Sequence, residues 1–341
     1  MTIHRRFALG MFDAEGLAFP GLVLEERVFD LAARLDGIGT VSDLIATWTA
    51  SMPQLQELAD RLGDDAGDHP LASLRALPPV TPNGQIFQAA ANYRQHVLEL
   101  MAGAEHRGDT TDGLTSEERD EAAAALDERA RDGSPFVFLG STHAMVGAED
   151  DIVLPAGSEQ HDWELELAVV IGGPGRRLSR ADAMSVIAGY TICNDITTRD
   201  ALFRPDARAL GLDWLAGKNS PTFLPTGPLL VPAAHVENPM GLHLHLAVNG
   251  RTMQDEATAD MLFDIADLIA HISNIAELRP GDLVLTGSPA GNGASHGTFL
   301  HPGDVIESSI TGLGSQCNHC VAEARDAGSG HALADAGESR S

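Results

Sequence analysis

The chain reads as an α+β protein, rich in strands, with a small α/β domain ahead of a larger body. Three observations point there. Short apolar runs of strand length, divided by turn residues, dominate from residue 135 to residue 321. Pro280-Gly281-Asp282 and Pro302-Gly303-Asp304 each stand directly before such a run, a turn signature between strands. Pro70, Pro78, Pro79 and Pro82 cluster where an extended connection would separate the two parts. The spacing therefore predicts a first domain over 1–78 and a second over 79–324.

Taken in order, Leu22-Val23-Leu24 and Val28 to Leu31 suggest strands, and the spacing from Val41 to Trp48 and from Leu55 to Leu62 suggests helices. Residues 103–133 are charged and alanine-rich, and Ser116-Glu117-Glu118 opens a run of strong helix formers, so a mobile helical insertion at the surface is expected there. Strands are predicted over 135–138, 151–154, 164–171, 189–193, 227–231 and 242–248, with Asn249-Gly250 as a hairpin turn. A helix follows near 261–275, then strands over 283–286 and 305–307, and an acidic, glycine-rich flexible tail over 325–341.

Composition excludes several functions. The 341 residues carry 22 basic and 49 acidic side chains, a formal net charge of −27, which repels phosphate backbones and anionic lipid surfaces. No nucleic-acid or membrane partner is expected, and no apolar run reaches the roughly 18 residues of a membrane span. With no secretory h-region, a cytoplasmic protein is expected. Cys193, Cys317 and Cys320 are too few for a disulfide framework, and the single CxxC, set in a closing strand, reads as passive. A nicotinamide site is excluded because no GxGxxG follows a strand, and Pro289 stands where a helix would have to begin.

All but one of the 22 basic residues are arginine, Lys218 being the exception. Where only positive charge is needed the two residues are nearly exchangeable, but a compact ammonium has no substitute in guanidinium, so Lys218 is a functional candidate. Glu164 and Glu166 alternate along an apolar strand and face the same side. Two adjacent carboxylates raise each other's pKa or hold a hard cation such as Mg²⁺, Mn²⁺ or Ca²⁺, although a solvated strand face would look the same. Asp195 ends the next strand and is available as a third ligand or as an ordinary turn aspartate. His96 and Glu99, three apart in a helical pattern, share a face and are placed to hydrogen bond as a carboxylate-tuned general base or as a plain surface pair.

The order of these pieces decides among the readings. HxxE at 96–99 is followed by WELELAVVIG, GYTICNDITTRD, Lys218, VNGRTMQ, LTGSPAG and HPGD. This series resembles the fumarylacetoacetate hydrolase family from Asn92 to Val321, interrupted by the 103–133 insertion. The resemblance implies a mixed β-sandwich roll, commonly a homodimer, that binds one Mg²⁺ or Mn²⁺ and acts on small dicarbonyl or oxo acid substrates. It implies metal ligation by Glu164, Glu166 and Asp195, and catalytic roles for His96, Glu99 and Lys218, the first two on a lid. Arg199, Ser288, Tyr93 and Gly287 are implied substrate contacts, Ser288 standing where a threonine is usual. Leu202 replaces a frequent glutamine, the stretch Asn219 to Thr222 lacks a frequent aspartate, and Phe136 to Gly140 lacks a frequent lysine. These departures point to a bulkier, more apolar substrate.

The chemistry implied is hydrolytic cleavage of a carbon–carbon bond in a 1,3-dicarbonyl or 2,4-dioxo acid, with the cation neutralising developing enolate charge and His96 activating water. The same site also suits a 2-oxo acid decarboxylase, a tautomerase or isomerase, or a hydratase. A non-catalytic module holding a structural Ca²⁺ is the rival from outside enzymology.

Overall fold

The computed structural model describes residues 5–63, 65–81, 84–105 and 115–324. Residues 106–114 of the insertion and the 325–341 tail lie outside them. The central sheet has six strands in the order Val231–Pro232, Ile187–Asn194, Leu165–Ile171, Leu283–Leu285, Ile86–Ala90 and Phe136–Gly140. Its pairings are antiparallel except between Leu283–Leu285 and Ile86–Ala90. Leu165–Ile171 is buried along its whole length, which explains why its sequence is nearly continuous in apolar residues, Glu166 being the exception.

A second, five-stranded sheet runs Arg251–Ala257, His243–Val248, Val305–Ile310, Gly314–Ala322 and Ile152–Leu154. It packs on the first where His243–Val248 meets Leu165–Ile171 and where Gly314–Ala322 meets Ile187–Asn194, giving the β-rich sandwich roll. Asn249 and Gly250 both take positive φ, 52° and 75°, as a type I′ hairpin requires. The strand expected over 227–231 shrinks to Val231–Pro232, because Pro228 and Pro232 remove ladder donors on either side of it. The helix expected from 261 begins at Ile265, where Asp264 and Asp267 form a reciprocal capping box.

The N-terminal part is a five-stranded sheet ending at Leu77, covered by the helices Val41–Ala46 and Trp48–Leu62. All its strand pairs are antiparallel, so it is α+β rather than the expected α/β; tight turns join Ala8–Ala14 to Leu17–Leu24 and Leu17–Leu24 to Arg27–Asp30, and connections that short pair strands only antiparallel. One apolar core runs from Phe7, Leu9 and Leu22 through Leu167 and Val169 to Ile306. Leu9 also exchanges both backbone hydrogen bonds with Leu230, at 2.9 and 2.8 Å. Within the insertion, Thr115 caps the helix Ser116–Asp132, which buries Ala122 and Leu126 and pairs Asp127 with Arg94, so this part is docked on the body rather than free at the surface. Among the described residues no helix is long and apolar enough to cross a membrane.

Because the core is continuous, Leu9→Ala is expected to cost about 2–5 kcal/mol, the usual price of such a truncation. Denaturant unfolding followed by fluorescence and by far-ultraviolet circular dichroism should stay coincident; two separated transitions would mean that the parts unfold independently.

Candidate active site

The site is built at the end of one strand pair. Leu165 faces Asn194 in the register of Leu165–Ile171 with Ile187–Asn194, which leaves Glu164 just before one strand and Asp195 just after the other. The Asp195 N–H donates to the Glu164 carbonyl at 2.8 Å, and the Glu164 N–H donates to Asn194 Oδ1 at 2.9 Å. Glu166, two residues further in, shares the face of Glu164. Ligand atoms of Glu164, Glu166 and Asp195 lie within 4.8 Å of one another, and all three residues are buried.

Such a cluster stands only with cations beside it. Lys218 Nζ donates to Glu164 Oε2 at 2.7 Å, Asp195 Oδ2 at 2.5 Å and Thr197 Oγ1 at 2.9 Å, using all three of its donors. It ends the short helix Trp214–Lys218, capped by Asp213. Arg199 places Nη2 2.6 Å from Glu164 Oε1 and donates from Nε to Asp162 Oδ2 at 2.7 Å. Asp162 is fully buried and also accepts from the N–H groups of Trp163, Gly293 and Ala294. Burial opposes ionisation of Glu164, but Lys218 and Arg199 together prevail and hold it well below the ordinary carboxylate range. Burial and the neighbouring Asp195 and Glu164 push Glu166 well above that range. Asp195 is raised too, chiefly by burial, with Lys218 opposing.

The four acids Asp162, Glu164, Glu166 and Asp195 face two cations, Arg199 and Lys218, so full ionisation leaves two negative charges unbalanced. Asp195 Oδ1 is buried with no hydrogen-bond partner. An unpartnered hard oxygen, an all-oxygen donor set and a deficit of two positive charges fit one hard divalent cation.

His96 lies on the helix Arg94–Glu105 and lines the cavity in front of the cluster. Burial lowers its pKa to about 4, with Glu164 opposing and Arg199 and Lys218 adding to the fall, so the ring is neutral at pH 7. The expected bond to Glu99 is not made. The Glu99 carboxylate accepts instead from the Gly291 N–H at 2.9 Å and from Ser295 Oγ at 3.3 Å, while His96 Nδ1 is buried without a partner. Helical spacing put the two on one side of the helix, but a backbone donor across the site won the carboxylate. Tyr93, expected to touch substrate, is fully buried and is not part of the cavity wall. Gly287, also expected to do so, donates its N–H to Glu166 Oε2 at 2.7 Å; with φ at +91° and a Cβ that would lie 2.9 Å from Asn92 Cβ, it must be glycine.

Ser288 does line the cavity, its hydroxyl accepting from Gln254 Nε2 at 2.9 Å. Gln254, Asn92 and Asp162 form a buried polar frame absent from the expectations. Gln254 also accepts from the Leu165 N–H, and the Asn92 side chain bonds Phe263 N–H, Phe263 O and Thr286 O ahead of the His96 helix. Gln254 was present in VNGRTMQ and Asp162 beside WELEL, but an isolated amide or acid carries no spacing signal. The cavity, about 920 Å³, continues from His96, Lys218 and Arg199 to Phe136, Phe138, Leu202, Leu212 and Trp214, and Arg129 of the insertion helix lines it as well.

Comparison with known proteins identifies the family and the fold. The model of the fumarylacetoacetate (FAA) hydrolase C-terminal domain matches residues 85–321. The 2,4-didehydro-3-deoxy-L-rhamnonate hydrolase of Sphingomonas sp. (strain SKA58) is 34% identical over 289 residues, covering 83% of this chain and 89% of that protein. The human mitochondrial oxaloacetate tautomerase FAHD2B is 40% identical over 189 residues, 55% of this chain and 59% of that protein, so the match spans little more than half of each. Among solved structures, the maleylpyruvate hydrolase of Sphingobium sp. SYK-6, in complex with manganese(II) and pyruvate, superposes with a TM-score of 0.68 at 26% identity, covering 92% of this chain and 99% of that one. With the family model matched over most of the chain and the fold shared over nearly all of it, the chain belongs to the fumarylacetoacetate hydrolase family.

Proposed function

We propose that the protein hydrolyses a carbon–carbon bond in a 1,3-dicarbonyl or 2,4-dioxo acid, with Mg²⁺ or Mn²⁺ held by Glu164, Glu166 and Asp195. The observation that carries this reading is the buried carboxylate cluster, two charges short of balance and with Asp195 Oδ1 unpartnered, opening onto a cavity beside a neutral histidine. Similarity over most of both chains to the rhamnonate hydrolase supports it. A hard divalent cation at such a site supplies Lewis-acid polarisation of a carbonyl oxygen.

The chain's own residues do the rest. His96, neutral at pH 7, accepts a proton from water as the water oxygen bonds to the carbonyl carbon. The electron pair of the broken carbon–carbon bond leaves on the departing enolate, which takes up a proton from the His96 imidazolium. Lys218 and Arg199 hold Glu164 in place and ionised, and Lys218 also anchors Asp195. Ser288 accepts from Gln254 and donates its O–H to the Pro289 carbonyl at 3.4 Å, a long bond that a substrate carboxylate in the cavity would replace as acceptor. Glu99 enters as a positioning residue that ties the His96 helix to the Gly291 loop.

A tautomerase is the second reading, favoured by the 40% identity to the human oxaloacetate tautomerase and by the missing His96–Glu99 bond. The two differ in their need for a water-activating base. His96→Ala should slow cleavage by about 10²–10⁴-fold while Mn²⁺ binding persists. Undiminished turnover would exclude base-assisted hydrolysis and favour tautomerisation or decarboxylation.

Cation-stripped protein should leave the enol absorbance of 2,4-dioxo acids unchanged, and added Mg²⁺ or Mn²⁺ should bleach it with two products formed. Glu166→Gln should abolish that rescue, and bleaching by stripped protein would refute the cation requirement. Because Glu166 and Asp195 are raised above the ordinary carboxylate range, their protons must leave before a cation binds, so affinity should rise with pH. Calorimetric titration with Mn²⁺ should give tighter binding at pH 8 than at pH 6; equal affinity would contradict the assignment.

A further inference from the structure

We propose that Trp214 and Phe138 form a stacking wall for a flat, apolar substituent, an aryl or conjugated group, carried by the substrate beyond its oxo acid head. The inference deepens the proposed function and rests on reading the polar end of the cavity as an oxo acid site.

The placement follows from one turn of helix. Trp214 and Lys218 are the first and last residues of the helix Trp214–Lys218, four apart, so they share a face with Lys218 directed at the carboxylates and Trp214 about one turn, 5.4 Å, away. Asn219 pins this turn, donating from Nδ2 to the Trp214 carbonyl and accepting from the Ser141 N–H. Phe138 comes from the edge strand Phe136–Gly140 of the central sheet. Its ring stacks on Trp214 at 4.2 Å between centroids and 15° between planes, and Lys218 Nζ lies 5.8 Å from the same ring centroid. The aromatic surface thus begins within 6 Å of the ammonium that touches Glu164 and Asp195.

Phe136, tilted by 42° at 5.9 Å from Trp214, and Leu212 extend the apolar wall, and both are exposed. Phe138 and Trp214 are only half-buried. Rings already stacked on each other and left partly open to a cavity have less conformational freedom to lose when a second flat group covers them, which favours planar substituents over branched alkyl ones. Leu202, buried at the same wall, offers no hydrogen bond there, so a polar tail would lose water contacts without replacement.

The test compares pyruvate with phenylpyruvate, which share the head and differ in the flat group, by calorimetric titration of the Mn²⁺-supplemented full chain. Phenylpyruvate is expected to bind about tenfold more tightly, a stacking contribution plus area burial. Trp214→Ala and, separately, Phe138→Ala should erase that preference and leave pyruvate affinity unchanged, with Trp214→Phe restoring most of it. Should the tryptophan variant fail to fold, the Phe138 variant decides. Equal binding of the two acids, a preference that survives both variants, or a parallel loss of pyruvate binding would each overturn the proposal. Turnover of 4-phenyl-2,4-dioxobutanoate separates the two readings. Binding that depends on Trp214 without cleavage would refute the hydrolase and leave the wall. Cleavage with no advantage over a methyl-bearing analogue would refute the wall and leave the hydrolase.

Discussion

Three carboxylates packed within 4.8 Å in the interior are the constraint around which this protein is arranged. Buried charge is tolerated only where partners offset lost hydration, and here the partners come from three separate segments. Lys218 spans Glu164 and Asp195, Arg199 joins Glu164 to Asp162, and the Gly287 N–H takes one oxygen of Glu166. Removing Lys218 takes away the cation that touches Asp195, and removing Arg199 the one that touches Asp162.

The fold meets this demand with rigid parts. The acids sit at one end of two wholly buried, paired strands of the central sheet, where backbone pairing fixes their spacing. Buried amides then tie the surrounding loops to that frame: Gln254 bridges Leu165 to Ser288 and Pro289, Asn92 bridges the start of the His96 helix to Phe263 and Thr286, and Asn292 donates to the Trp163 carbonyl. Each amide also satisfies backbone groups that would otherwise be unpaired in the core. The chemical groups are therefore positioned by the same hydrogen bonds that stabilise the sandwich. The aromatic side of the cavity stands apart from that frame, on an edge strand and a five-residue helix.

Much of this was legible in the chain. The period of two in Trp163 to Val170 set Glu164 and Glu166 on one face, and the single lysine among 22 basic residues singled out Lys218, which makes three hydrogen bonds at the cluster. The strand-and-turn pattern of the β-rich body was readable because alternation and Asn-Gly or Pro-Gly-Asp turns are local signals. The pairing of His96 with Glu99 was misread for the converse reason. Spacing along a helix states which groups are able to meet, and the Gly291 N–H, 192 residues away, competes for the carboxylate without any trace in local sequence. Tyr93, next to a site residue in sequence, turned into the core for want of any signal of direction.

By itself the sequence determined the strand-rich body, the alternation that aims the paired glutamates, and the identity of the ammonium, since each depends on local periodicity or on residue chemistry. Only the tertiary structure decided that Asp162 and Arg199 join the acid cluster, that the N-terminal sheet shares its core with the body, that Glu99 ties a loop instead of orienting His96, and that Trp214 stacks on Phe138 beside Lys218. Those outcomes are set by burial and by competition for hydrogen bonds among groups brought together from distant segments, and such competition is settled only when the core closes.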